Sequence, residues 1–205
     1  MHGEALTSRA AALLPRFAQL KNFYLVGGSA LALQIGHRIS VDFDFFRFEA
    51  LPPGLFGNVK RIFPDSRIAV TYRAPEQLNV LIDDIKTTFF HFPYRIIEPF
   101  VPYKGINLAN VREIAAMKAF SIGKRLAYKD YIDWYFLLQE KRVALAEVIA
   151  LAKKKFGDEF SDRLFLGQLV SLRDIPSQKI DFLRAPVARG AVTLFLAKAV
   201  RGLNL

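Results

Sequence analysis

The chain has 205 residues, 52% of them apolar, which is enough to bury a core in one or two small domains. Its 29 basic residues outnumber 19 acidic ones, and the resulting +10 is spread from Arg9 to Arg201, a balance that serves solubility and also suits a polyanion such as RNA or a nucleoside triphosphate. The absence of cysteine excludes disulfides, zinc–thiolate sites and thiol nucleophiles and is compatible with the cytosol. With only His2, His37 and His91, a histidine-based metal centre is disfavoured too.

Residues 1–4 lack a charged n-region and an apolar h-region, so no signal peptide is expected. No run of about 18 apolar residues is free of charge, so no membrane-spanning helix is expected. Helical spacing runs over residues 4–20. A short buried strand over 23–26 then feeds a Gly27-Gly28-Ser29 turn. A helix over 29–35 is closed by Gly36. Residues 41–46 read as a strand rich in β-branched and aromatic side chains. Pro52, Pro53 and Gly54 mark a turn before a helix over 55–63. Strands are expected over 67–73, 77–82 and 85–91, with Asp83-Asp84 as a turn between the last two. Pro93, Pro99, Pro102 and Gly105 make an irregular crossing segment that ends at Asn107.

Helices follow. Asn110 can cap one running through Arg125. Others are expected over 128–139, apolar on almost all sides, over 143–156 with Gly157 as its stop, and over 158–172 and 188–200. The fold class is α+β (mixed α/β), with units over residues 1–107 and 108–205. There is no internal repeat and no low-complexity segment.

The most informative pattern is Gly27-Gly28-Ser29 followed by Asp42-Phe43-Asp44. Period two puts Asp42 and Asp44 on one strand face and Phe43 and Phe45 on the other. Two neighbouring carboxylates on so apolar a strand repel each other unless a cation lies between them. Oxygen donors favour a hard divalent ion, Mg²⁺ or Mn²⁺. The Gly-Gly-Ser turn offers backbone N–H groups and a hydroxyl at a positive helix end, which is a seat for phosphate. Its structural alternative is an ordinary strand-to-helix turn. Metal plus phosphate points to nucleotide chemistry. His37-Arg38 and Ser40 lie between the two motifs, as substrate contacts or as a polar loop.

Lys118 lies in an apolar helix, either snorkelling or holding phosphate, and Arg125 follows on the same face. Asp133 sits between Ile132 and Trp134 and needs a partner, Lys118 or Arg125, because an unpaired buried charge is costly. Lys129 and Asp130 begin that helix, where Asp130 suits the dipole.

The spacing of Gly27-Gly28-Ser29 and Asp42-Phe43-Asp44 resembles the signature of the DNA polymerase β-like nucleotidyltransferase superfamily. The fuller string from Leu25 to Leu33 and from Gly36 to Phe46 is similar, more narrowly, to the AbiEii/AbiGii toxins, which include the MenT toxins. Lys118, Arg125 and Lys129-Asp130-Tyr131-Ile132-Asp133 resemble that family's later motifs. The likeness covers about residues 23–140.

It implies a nucleotidyltransferase lobe with a mixed sheet, then a helical lobe. It also implies a toxin of a toxin–antitoxin or phage-defence module that moves a nucleotide from an NTP with Mg²⁺, releasing pyrophosphate. Gly27, Gly28, Ser29, Lys118 and Arg125 would bind nucleotide, Asp42 and Asp44 metal, and Asp133 would complete the acidic set. Arg38, Ser40, Lys129 and Asp130 are secondary candidates. The implied partners are RNA, a tRNA 3′ end foremost, and a cognate antitoxin. One departure is that residues 85–90 lack the third carboxylate that many polymerase β-like enzymes carry on a neighbouring strand. Transfer to a protein hydroxyl, or a catalytically silent RNA- or antitoxin-binding module, are the alternatives.

Overall fold

Apolar alternation between residues 24 and 108 builds one mixed sheet. The computed structural model describes residues 1–122 and 127–203. In chain order the first unit, Met1–Asn110, contains α1 (Ser8–Leu13), β1 (Tyr24–Val26), α2 (Gly27–Ile35), β2 (Phe43–Arg47), α3 (Leu55–Ile62), β3 (Ile68–Ala74), β4 (Gln77–Ile82), β5 (Ile85–His91), β6 (Val101–Tyr103) and β7 (Ile106–Leu108). Its strands are ordered β3-β4-β5-β2-β1-β7-β6. β2 runs parallel to β5 and antiparallel to β1, and β1 runs parallel to β7.

One face of this sheet is an aromatic core. Phe43, Phe45 and Phe89 are buried there under Phe17, whose ring lies 5.6 Å from Phe43 and 4.6 Å from Phe45. Phe63, just past α3, stands 4.9 Å from Phe17. Each such ring contributes about 1.5–3 kcal/mol by leaving water. A one-residue slip of β2 would push Asp44 into this core, so the phenylalanines lock the register that presents Asp44 on the other face.

Several expected elements differ in detail. The helix expected over 4–20 is three pieces. A 3₁₀ turn over Gly3–Ala5 is followed by α1, where Thr7 Oγ1 caps by accepting from the Ala10 N–H at 3.3 Å. A second 3₁₀ turn, Leu14–Gln19, carries Pro15, which has no N–H to continue the ladder. The irregular segment before Asn107 contains the β6–β7 hairpin. Pro102 lies in β6, which is an edge strand and tolerates the missing donor. Lys104 and Gly105 both have positive φ, as a two-residue hairpin turn requires.

The second unit, Val111–Leu205, contains α4 (Val111–Ser121), α5 (Tyr128–Gln139), α6 (Leu145–Phe156), α7 (Asp162–Leu169) and α8 (Arg189–Arg201). α5 is its buried centre. Trp134 packs on Phe165 of α7 at 5.1 Å, and Tyr135 on Phe195 of α8 at 5.0 Å. α4 and α6 are joined by stacked Phe120 and Phe156, 4.0 Å apart. They are also joined by a fully buried Lys155–Glu113 ion pair of 2.6 Å. Among the described residues no helix is long and apolar enough to cross a membrane.

Candidate functional site

The first unit assembles its polar cluster at one junction. β1 ends at Val26, opposite Asp44 in the antiparallel register, and the chain turns directly into α2 at Gly27. Helix α2 therefore starts two residues earlier than the sequence spacing suggests. Gly27 has φ +69°, and a Cβ there would come within 2.6 Å of Asp44 Oδ2. Glycine is thus required both by backbone angle and by the carboxylate lying against it. A Cβ on Gly28 would fall 2.5 Å from Arg38 Nη2 and 3.4 Å from Ser40 Oγ. The two glycines let a carboxylate and a guanidinium approach the first turn of α2.

Ser29 and Ser40 are buried. The Ser29 hydroxyl donates to the Asp42 backbone carbonyl. It also contacts Ser40 Oγ at 2.9 Å, and since a carbonyl only accepts, the Ser40 proton completes that bond. Ser40 is itself anchored through its N–H to the Ala5 carbonyl at 2.8 Å. The strand expected over 41–46 is observed over Phe43–Arg47, so Asp42 lies immediately before β2 and not within it, half-buried like Asp44.

On β5, Thr88 stands directly opposite Asp44, so the neighbouring strand presents a hydroxyl there and no carboxylate. Among the described residues there is no group of three or more His, Asp or Glu suited to a metal. The donor set at this junction is therefore Asp42 and Asp44. Two hard oxygen ligands without nitrogen or sulfur fit Mg²⁺ or Mn²⁺, ions that complete their shell with water and phosphate oxygen.

The second unit carries a separate charged cluster. Lys118 of α4 is only 4% exposed, so it does not snorkel. Its Nζ lies 2.6 Å from Asp133 Oδ2 and 2.8 Å from Asp130 Oδ1. The two aspartates, one turn apart on α5, share a face. Both are buried, Asp133 completely, so Asp130 is a full partner of the lysine rather than an exposed helix cap. Two carboxylates against one ammonium leave this triad formally at −1. Lys129 is half-buried beside it, and Arg125 lies outside the described residues.

Two features escaped the sequence reading. Arg38 is buried against Gly28, which the loop-like string around it did not signal. The Glu113–Lys155 pair joins a first-turn glutamate to the last of three consecutive lysines, and nothing in either local sequence singles it out. Asp83 and Asp84 are turn residues, both at positive φ.

Residues 10–95 match the model of a family described as nucleotidyl transferase AbiEii toxin, type IV toxin–antitoxin system. An uncharacterized protein of Aquifex aeolicus is 40% identical over 139 residues, a match that spans 66% of this chain and 66% of that protein. Among solved structures, an H. pylori protein described as a nucleotidyltransferase superposes with a TM-score of 0.62 at 19% identity, over 93% of this chain and 89% of its own. MenT4, a nucleotidyltransferase toxin from Mycobacterium tuberculosis, superposes with a TM-score of 0.54 at 14% identity, over 95% and 85%. At those identities the likeness is one of fold.

Proposed function

We propose that the protein, whose residues 10–95 match the AbiEii nucleotidyl transferase toxin family, moves a nucleotide from an NTP to a hydroxyl at a tRNA 3′ end. The observation that carries this reading is the packing of the Gly27-Gly28 turn directly against Asp44, with Ser29 fastened to the Asp42 backbone. A phosphate seat and a hard-cation seat thereby share one junction.

In this reading Asp42 and Asp44 hold Mg²⁺. Such an ion would supply neutralisation of the charge on the triphosphate. Gly27 and Gly28 let the phosphates approach the backbone N–H groups of α2. Ser29 and Ser40 keep Asp42 from drifting. The acceptor oxygen bonds to the α-phosphorus as the bond to the β-phosphate oxygen breaks. Pyrophosphate leaves with that electron pair, and the hydroxyl proton passes to water. Lys118 and Asp133 of the helical unit are assigned to transfer as well, Lys118 toward nucleotide phosphate. The spread of positive charge favours an RNA acceptor, and the family description supports a cognate antitoxin.

A second reading is favoured by Thr88, which leaves the strand beside Asp44 without a third carboxylate. In that reading the protein binds RNA or an antitoxin without transfer. Incubation with each labelled NTP, Mg²⁺ and total tRNA, followed by separation of RNA from protein, decides. Label in tRNA supports the proposal, label in protein moves the acceptor to a polypeptide hydroxyl, and no label under any nucleotide favours the binding module.

A further inference from the structure

We infer that the sheet face bearing Asp44 is a platform for the single-stranded 3′ end of the acceptor RNA, with Tyr72 stacking on one of its bases and the Gln77–Asn79 amide pair meeting a base edge. The inference rests on the nucleotidyl-transfer reading and names how its acceptor is held.

Strand register lays out the platform. Asp44 of β2 stands opposite Thr88 of β5, Thr88 opposite Asn79 of β4, and Asn79 opposite Tyr72 of β3. One row of four residues thus crosses the sheet from Asp44 to the edge strand β3. Three interstrand spacings make that row about 14 Å long. Stacked nucleotides advance about 3.4 Å each, so a strand whose end lies at Asp44 reaches Tyr72 within a few nucleotides.

Tyr72 owes its place to an irregularity. Val70 pairs with Val80, and the register then shifts so that Tyr72 meets Asn79 and Arg73 meets Leu78. Without the extra residue Thr71 would meet Asn79, and Tyr72 would meet the buried Leu78 on the core side. The bulge re-aims the tyrosine onto the face of Asp44. There it is 51% exposed, although turning inward would have taken its ring out of water. An aromatic face kept accessible on a sheet, in register with the transfer site, is what base stacking uses.

The neighbouring side chains fit the same occupant. Gln77 Nε2 donates to Asn79 Oδ1 at 2.9 Å. That bond fixes both amides and leaves an N–H donor on Asn79 beside a carbonyl acceptor on Gln77, a combination that a base edge complements. Of the side chains that β3, β4 and β5 place on this face, the charged one is Lys86, exposed and two residues before Thr88, and its sign suits a phosphate backbone. A polypeptide adding to the sheet would instead need the backbone edge of β3, which the same bulge interrupts.

The test is fluorescence anisotropy of a 5′-labelled single-stranded RNA oligonucleotide with the full chain, in EDTA and without NTP, so that neither metal nor turnover enters the readout. Tyr72→Ala is expected to weaken binding about tenfold, and Tyr72→Phe, which keeps the ring, to recover most of that loss. Binding of a blunt RNA duplex, whose base faces are covered, is expected to change little in Tyr72→Ala. Lys86→Gln is expected to weaken single-strand binding and lower its salt slope by about one. Unchanged single-strand affinity in folded Tyr72→Ala overturns the inference, and so does an equal loss for single strand and duplex. If Tyr72→Ala fails to fold by circular dichroism, Asn79→Asp carries the test, since a carboxylate in that row should repel the strand, and unchanged affinity there overturns the inference as well.

The two readings fail separately. Single-strand binding that depends on Tyr72, with no nucleotide transferred, sinks the transfer reading and leaves the platform in place. Label transfer into tRNA whose binding is indifferent to Tyr72 does the reverse.

Discussion

At the scale of single residues, Gly27 and Asp133 show how chemistry constrains identity. Gly27 combines a left-handed φ with the Asp44 carboxylate lying where a Cβ would go. Gly27→Ala is expected to lower stability by about 1–2 kcal/mol from backbone strain alone. It should also displace Asp44, so urea unfolding and Mn²⁺ titration should both report the change. Retention of wild-type Mn²⁺ affinity would show that Asp44 does not need its present position.

Asp133 is fully buried against Lys118. Asp133→Ala removes the carboxylate 2.6 Å from the lysine and is expected to cost about 3–5 kcal/mol. Asp133→Asn keeps the volume and a hydrogen-bonding oxygen and should cost clearly less, yet lose most transfer activity while folded. Full activity in folded Asp133→Asn would make the residue structural only. Asp133 could be singled out from sequence because it interrupts an apolar helix. The burial of Arg38 could not, because Gly-His-Arg-Ile-Ser reads like any polar loop until Gly28 is brought beneath it.

At the scale of elements, legibility followed periodicity. Residues 77–82 and 85–91 alternate cleanly and are β4 and β5, and the continuous apolar run over 128–139 is α5. The β6–β7 hairpin was hidden because Pro102 and short strands imitate a loop, and its pairing with β1 is a long-range fact. Pro15 broke the first helix where spacing alone carried through.

The β4–β5 turn offers a pH test. Asp83 is held below its ordinary value of 3.8, first by a hydrogen bond from Ser66 and then by the Arg67 N–H, which it accepts at 2.9 Å. A carboxyl lowered on folding stabilises the fold above its unfolded value and loses that contribution as pH falls through the folded one. Unfolding midpoints should therefore fall below about pH 3.8, and Asp83→Asn should show a shallower fall over that window. Identical pH profiles would mean that the turn hydrogen bonds do not couple to stability.

At the scale of the whole molecule, the +10 net charge is not confined to a tail. It sets the expectation that RNA binding weakens steeply between about 50 and 200 mM salt, as counterion release requires. Filter-binding across that range checks it, and a flat response would remove RNA as the favoured acceptor. Beneath that lies the chemistry itself, which two positions of the same label distinguish. The wild-type protein should pass label from an [α-³²P]NTP into a macromolecular acceptor and release label from the [γ-³²P]NTP as pyrophosphate. Folded Asp42→Asn and Asp44→Asn proteins should do neither. Transfer of the γ-label to the acceptor, or undiminished α-label transfer by the double Asn variant, would contradict nucleotidyl transfer at the Gly27–Asp44 junction.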